Sequence, residues 1–329
     1  MDALQAFGLE LIRALQALSP ALDGVMHAFT FMGKIEFYLL ILPLIYWAVD
    51  HRLGFRLLLV LITLDLATAT FKLLLHQPRP YWLGGVQALA EETTYGLPSA
   101  HASESLAVWG YLAYRLRRRW LSVVVAAFVV LIGVSRVYLA VHFPHDVVAG
   151  WLLGAALLWA FVAGERPLTD RAGRQTAAIQ IALGLALALV VLLIGQGVQA
   201  ALSGRSDPAA WSALAARART PAYSFTLAGA LFGAVSGYAL MRRYAPFESG
   251  GVWLRRAARY SLGILGVLGL YFGLDALFGL IAADETAAGY GLRFVRYAAA
   301  TFWVTGLAPW LFLRLRLADA PATSATGRG

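Results

Sequence analysis

The 329 residues contain no cysteine, and charge is scarce: Asp, Glu, Lys and Arg together make up 14%. The first absence excludes disulfides, thiol catalysis and cysteine-based zinc or iron–sulfur sites, without assigning a compartment. The second excludes an ordinary soluble domain, in which about 25% of residues are charged. A signal-peptide-like start is also missing, because Asp2, Glu10 and Arg13 interrupt the first apolar stretch. There is no convincing internal repeat, and no catalytic motif between about residues 171 and 316. What remains is apolar. Hydrophobic residues make up 60% of the chain and its mean hydropathy is +0.68, the composition of one membrane-embedded unit.

A spanning helix needs about 20 mostly apolar residues. Nine stretches are candidates, roughly 34–49, 54–76, 99–116, 120–141, 144–164, 175–202, 221–242, 256–282 and 291–315. The predicted fold class is therefore all-α and polytopic. The segment "SPALDGVMHAFTFMG" before the first span reads as re-entrant or interfacial. Leu4, Phe7, Leu11, Leu15 and Leu18 recur at three- and four-residue steps, the apolar face of a helix lying flat in the interface.

The net charge is +9 and the sequence pI about 10.0. A basic pI suggests nucleic acid, but here the arginines sit in short clusters between apolar runs, so no nucleic-acid partner is expected. One alternating set of loops holds Arg52 and Arg56, Arg115 and Arg117 to Arg119, Arg166, Arg171 and Arg174, Arg242, Arg243, Arg255, Arg256 and Arg259, and Arg314, Arg316 and Arg328. These are most of the basic residues, and the positive-inside rule makes that set cytoplasmic. The N-terminus is then outside and the C-terminus inside. The loops "HFPHD" and "HQPRPYWLGGVQALAEETTYGLPSAH" face outward.

Three polar clusters lie in those outward loops and helix ends: Lys72 with Arg79–Pro80, then "PSAH" (Pro98 to His101), then Ser135–Arg136 with His142 and Asp146. Hydrocarbon tolerates such residues poorly. Lys72, Arg79 and Arg136 gathered near a membrane require an anion between them, and the arginine fork suits phosphate. Pro98 suits the first position of a helix, whose free amides and Ser99 would add donors. Pro144 should start the fifth helix, placing Asp146 about one turn from His142. A carboxylate that accepts one ring N–H leaves the other imidazole nitrogen free to attack phosphorus. His101, in a different cluster, is the candidate proton donor to the leaving oxygen. A zinc site on His142, His145 and Asp146 is the weaker reading, because the three crowd around Pro144.

The patterns K-x6-R-P, P-S-x-H and S-R-x5-H-x3-D, in that order, resemble the three signature motifs of the type 2 phosphatidic acid phosphatase (PAP2) superfamily. The resemblance covers about residues 20–165. It implies His142 as nucleophile forming a phosphohistidine, Asp146 orienting it, and His101 protonating the leaving alcohol. It implies Lys72, Arg79, Ser99, Ala100 and Arg136 as the phosphate-binding positions, with no metal and no cofactor. The family's second motif usually reads P-S-G-H, and Ala100 stands in place of its glycine. Alanine is costly there if a positive φ is required and harmless in a first helical turn. The non-glycine residue, "YGLPSAHAS" and the additional C-terminal spans look closest to the sphingosine-1-phosphate-phosphatase-like branch.

The expected organisation is an interfacial segment 1–33, a PAP2-like six-helix catalytic bundle 34–165, accessory transmembrane helices 166–316 and a disordered tail 317–329. The resemblance implies hydrolysis of a lipid phosphomonoester, a long-chain-base phosphate or phosphatidic acid, at the extracytoplasmic face of a bacterial inner membrane. Alternatives are a polyprenyl pyrophosphate phosphatase, a lipid phosphotransferase, and a non-catalytic phospholipid transporter. The partners are the phosphorylated lipid and the bilayer, with homo-oligomerisation left open. Asp65 and Asp275, inside spans, are functional candidates or hydrogen-bond partners of neighbouring helices. His76 reads as lining a headgroup pocket or facing water, and Tyr81 and Trp82 as interface anchors. The many glycines after residue 180 favour close helix packing.

Overall fold

The computed structural model describes residues 3–321, and every regular element among them is helical. The helices are α1 (Ala3–Gln16), α2 (Asp23–Phe31), α3 (Ile35–Ala48), α4 (His51–Leu75), α5 (Ala100–Leu116), α6 (Arg119–Tyr138) and α7 (Pro144–Gly173). They continue as α8 (Ala177–Ala201), the short α9 (Ser212–Ala215), α10 (Ala222–Tyr244), α11 (Trp253–Gly279), α12 (Ala287–Phe302) and α13 (Ala308–Arg314).

Six helical segments among the described residues are long and apolar enough to cross a membrane, and α2 with α3, bent by 51°, makes a seventh if the pair crosses together. Nine were expected. The difference has two local causes. Helix α5 has 17 residues and opens on His101, Ser103, Glu104 and Ser105; at 1.5 Å per residue it is about 25 Å long, short of a hydrocarbon core of about 30 Å. Helix α12 stops after 16 residues at a π-helical turn, Trp303–Leu307, before α13 resumes. Pro309 has no N–H to offer the Thr305 carbonyl four residues back. The Tyr46 hydroxyl donates to that carbonyl instead, at 2.7 Å, and Trp47 Nε1 donates to Val304 O at 2.9 Å.

The chain divides into two compact units. The first comprises Met1–Tyr38, Val60–Thr169 and Leu193–Tyr223, and the second Leu39–Leu59, Asp170–Leu192 and Ser224–Gly329. In the first, α5 and α6 form a tight hairpin through Arg117, which sits in the left-handed region at φ 51°. Helix α7 packs on α5 through two glycines. A Cβ on Gly150 would lie 2.5 Å from Ser99 O, and one on Gly154 would lie 2.6 Å from Ser103 O. Any side chain there would push the N-terminus of α5 away from α7.

Helix α1 is amphipathic, as its spacing predicts. Leu9 and Ile12 are buried in a core with Val137, Phe143 and Val147, while Leu4, Phe7 and Leu11 are exposed. Arg13 Nε donates to Gly85 O at 2.8 Å and Gln16 to Gln87 O at 2.8 Å, so α1 also holds down the loop after residue 82.

The second unit is built on close backbone approach. A Cβ on Gly233 would lie 2.0 Å from Ala298 O, and Gly229 and Gly237 face α12 and the π-helical turn in the same way. This is small-residue packing of the kind membrane helices use. Its core holds Tyr46, Trp47, Met241, Phe247 and Phe312. Ala318 joins that core, and Asp319 O accepts from Glu248 N at 2.9 Å. The rest of the expected tail, residues 322–329, lies outside the described residues.

Candidate active site

The three clusters meet at one end of the first unit. Lys72 is in the last turn of α4, Ser99 caps the N-terminus of α5, Arg136 is in the last turn of α6, and Asp146 is in the first turn of α7. Lys72, Arg79, Ser99, Arg136, His142 and Asp146 are each at most 6% exposed.

Pro144 does start α7, and Asp146 lies one turn from His142. His142 Nδ1 is 3.3 Å from Asp146 Oδ2, which also accepts the Phe143 amide at 2.9 Å. The turn that presents His142 hangs on Arg136, whose carbonyl accepts the Val141 and His142 amides at 3.2 and 3.3 Å. Ala140 makes that turn possible by adopting φ 57°. His142 Nε2 is 3.2 Å from Arg79 Nη1. With Nδ1–H on Asp146, Nε2 is the acceptor, and its lone pair faces the Arg79 Nη1 donor. Burial, then the charges of Arg79, Lys72 and Arg136, push the His142 imidazole well below its ordinary value, so it is neutral.

The second cluster differs from expectation in register. Helix α5 begins at Ala100, so Pro98 precedes the cap and is not the first helical residue. The reason is that Ser99 is itself the cap, its side chain accepting from Ala102 N at 3.5 Å. Ala100 therefore sits in a first helical turn with ordinary φ, where alanine carries no penalty. The Ser99 amide donates to Asp146 O at 2.9 Å, tying the second cluster to the third. The Ala100 and His101 amides have no acceptor inside the helix. His101 Nε2 is buried without a hydrogen-bond partner; burial first, then the charge of Arg136, push that imidazole well below its ordinary value, and Glu92 opposes them.

Several participants carry no spacing signal. Arg136 Nη1 donates to Thr30 Oγ1, and Nη2 pairs with Glu92 Oε1. Arg79 Nε donates to Thr94 O at 2.5 Å, and Nη2 to Thr94 Oγ1 at 2.9 Å and Tyr95 O at 3.2 Å. Lys72 Nζ donates to Tyr95 O and to Gly96 O. The Tyr95 hydroxyl donates to Asp207 at 2.9 Å and accepts from Arg219 Nε at 2.9 Å, so residues 193–223 reach the loop that holds the cations. Burial first, and Asp207 with it, push the Tyr95 phenol up to about 12, which keeps it a donor.

Tyr81 and Trp82, expected as membrane anchors, have inward roles. The Tyr81 hydroxyl donates to Glu92 O and accepts from Glu92 N, and Trp82 is buried against Tyr95 and Trp211. The rings are needed to build the loop, which outweighs their interfacial preference. His76 stacks obliquely on Tyr95, with centroids 4.6 Å apart. Asp65 accepts from the Tyr223 hydroxyl at 2.6 Å, and Asp275 pairs with Arg296; both carboxylates find partners on neighbouring helices. His145 stacks on Phe143, and its Nε2 is 3.4 Å from Asp146 Oδ1, the oxygen that His142 does not use. A separate cleft of about 230 Å³, lined by Tyr114, Arg115, Arg117 and Glu165, lies at the far ends of α5 and α7.

The PAP2 superfamily profile matches residues 53–169, which contain all three clusters. A second profile, described as "PAP2 superfamily phosphatase, transmembrane extension", matches residues 225–320, within the second unit. Residues 53–169 carry a PAP2 superfamily domain, and residues 225–320 a PAP2 transmembrane extension. The chain is 31% identical over 185 residues to bovine (Bos taurus) glucose-6-phosphatase 3, covering 48% of this chain and 53% of that one. It is 29% identical over 153 residues to phosphatidylglycerophosphatase B of Bacillus subtilis, covering 43% and 73%. It is 26% identical over 176 residues to lipid phosphate phosphatase delta of Arabidopsis thaliana, covering 49% and 42%. The chain spans about half the length of the glucose-6-phosphatases it matches.

Proposed function

We propose that this PAP2 protein hydrolyses a lipid phosphomonoester through a phosphohistidine at His142. The observation that carries the reading is the convergence of Lys72, Arg79 and Arg136, all buried, on a neutral His142 oriented by Asp146. Three buried cations around one imidazole are costly in a scaffold and useful for a phosphoryl group.

In the proposed reaction Lys72, Arg79, Arg136, Ser99 and the Ala100 amide hold the phosphate oxygens. His142 Nε2 attacks phosphorus, a P–N bond forms, and the P–O bond to the alcohol breaks. His101 Nε2 delivers a proton to the departing oxygen. His101 then takes a proton from water, which attacks the phosphohistidine; the P–N bond breaks and inorganic phosphate leaves. The cation cluster supplies the stabilisation of transition-state charge. Asp146 holds the tautomer throughout.

The substrate class rests on two supports. Lys72, Arg136 and Asp146 lie at the ends of helices apolar enough to span a bilayer, and two of the relatives act, by their names, on lipid phosphates. The loop arginines support an extracytoplasmic site, because the Arg115–Arg119 cluster lies at the opposite end of α5. A second reading, a sugar phosphomonoester, is favoured by the likeness to glucose-6-phosphatase 3.

Phosphate release by the purified protein in detergent, with excess chelator, tests both. The panel holds a long-chain-base phosphate, phosphatidic acid, a polyprenyl pyrophosphate and glucose 6-phosphate, with His142→Ala as control. Release that survives chelation, is lost in the variant and is fastest with a lipid monoester is the expected result. Preference for glucose 6-phosphate would move the substrate to the second reading, and no release from any of them would overturn the phosphatase reading.

A further inference from the structure

The cations proposed to bind phosphate are engaged by one loop. Residues 92–96 supply the Glu92 carboxylate to Arg136, Thr94 and Tyr95 to Arg79, and the Tyr95 and Gly96 carbonyls to Lys72. Of these acceptors only Glu92 is an anion. Its backbone is clamped on both sides by the Tyr81 hydroxyl, at 2.9 and 3.1 Å, and Tyr81 lies two residues after Arg79. The carboxylate is therefore placed by the fold. Arg136 is 1% exposed, whereas the Glu92 side chain is 25% exposed and can swing towards water. Arg136 Nε is buried and has no hydrogen-bond partner, so this guanidinium retains donor capacity beyond Glu92 and Thr30.

We infer that Glu92 is a specificity-determining residue: its carboxylate holds the Arg136 end of the phosphate subsite, and only a dianionic phosphomonoester displaces it effectively. This rests on the phosphatase reading above and names the charge class of its substrate. A monoester dianion brings two charges and three terminal oxygens to the same guanidinium, so the exchange gains both charge and hydrogen bonds. A phosphodiester brings one charge and two terminal oxygens, so it replaces one carboxylate with its equal and gains nothing. The distinction matters in a bilayer, where most phosphate headgroups are diesters and outnumber any monoester. A built-in competitor that rejects the abundant ligand is a repulsive element of the kind specific sites use. Burial alone would raise the Glu92 carboxyl, but Arg136, Arg79 and His101 outweigh it and hold the group well below the usual carboxylate range. The competitor therefore stays charged at any working pH.

The test is equilibrium binding of inorganic phosphate and of dimethyl phosphate to the full chain in detergent at pH 8, without turnover. Wild type should bind phosphate and not dimethyl phosphate. Glu92→Gln keeps the shape and the Tyr81 clamp. It should bind phosphate about tenfold more tightly, equivalent to about 1.4 kcal/mol, and acquire measurable dimethyl phosphate binding. Weaker or unchanged phosphate binding, no gain of diester binding, or no phosphate binding by either protein would overturn the inference. Should Glu92→Gln not fold, Tyr81→Phe, which frees the Glu92 backbone, should shift both affinities in the same direction by a smaller factor; no shift would count against it. Because binding is read directly, a protein that binds as expected but releases no phosphate would sink the phosphatase reading alone. A working phosphatase with an indifferent Glu92→Gln would sink this inference alone.

Discussion

Both units bury arginine, and they do so differently. In the second unit Arg259 is fully buried, with its guanidinium on the carbonyls of Glu248, Ser249 and Gly250, and Arg296 is paired with Asp275. Each cation there has its own set of acceptors, and the result is a braced loop or a pinned helix pair. In the first unit three cations share the loop of residues 92–96, where Arg136 takes the Glu92 carboxylate, while Arg79 also faces the His142 imidazole. A single buried arginine is a structural device, while several converging ones need a ligand to balance them. The rest of each unit fits its role. The second closes its helices on Gly229, Gly233 and Gly237, with no histidine–carboxylate pair of its own in the match at residues 225–320. The first spends its close approaches, Gly150 and Gly154, on fixing the N-terminus of α5 beside α7.

The sharpest way to separate the units is to damage each in turn. His142→Ala should reduce turnover at least about a thousandfold, as removal of a nucleophile does, with the thermal midpoint changed little; substantial activity in that protein would remove His142 from the mechanism. Gly233→Leu should do the reverse. Its side chain meets Ala298 O, so stability should fall by about 3 kcal/mol or more, while kcat of the protein that stays folded is retained. A Gly233→Leu protein with normal melting and poor kcat would mean the second unit takes part in chemistry.

Smaller effects probe the join between the loop and the cations. Tyr95→Phe loses the hydroxyl bonds to Asp207 and Arg219 but keeps the Tyr95 carbonyl on Lys72 and Arg79. KM should rise a few-fold, about 1 kcal/mol for a buried hydrogen bond, with kcat nearly unchanged; a large loss of kcat would give the hydroxyl a direct role. The mildest test is the pH profile of kcat/KM. His142 must be neutral to attack, and its folded-state value is depressed below the ordinary 6.5. The acid limb should therefore lie below 6.5. In the same window the unfolded chain binds the proton that the folded chain refuses, so stability falls as pH drops through the ordinary histidine value, and less so in His142→Ala. An acid limb above 7 would contradict the burial argument.

The convergence of the three clusters was legible because the proposed chemistry restricts residue types. Lys72, Arg79, Ser99, Arg136, His142 and Asp146 were all named from three short patterns, and the structure brings them to one end of one unit. Glu92, Thr94, Tyr95, Asp207 and Arg219 were not. They act through backbone carbonyls or through contacts more than a hundred residues apart, as Tyr95 does with Asp207, and no local spacing records either. The span count failed for a related reason. Hydropathy sees apolar runs, but α5 is short because its first turns are the site, and α12 breaks where Pro309 hands a carbonyl to Tyr46. Pro98 was off by one cap because Ser99 competes for the same local role.

The central claim is that His142 carries the phosphoryl group. The most direct measurement is acid-free quenching of the protein during turnover of a phosphorus-labelled monoester, followed by mapping of the labelled peptide. The account predicts a label that is stable to alkali, lost in acid and located on His142, absent from His142→Ala and longer-lived in His101→Ala. Turnover with no trapped label in either protein, or a label on any other residue, would contradict it.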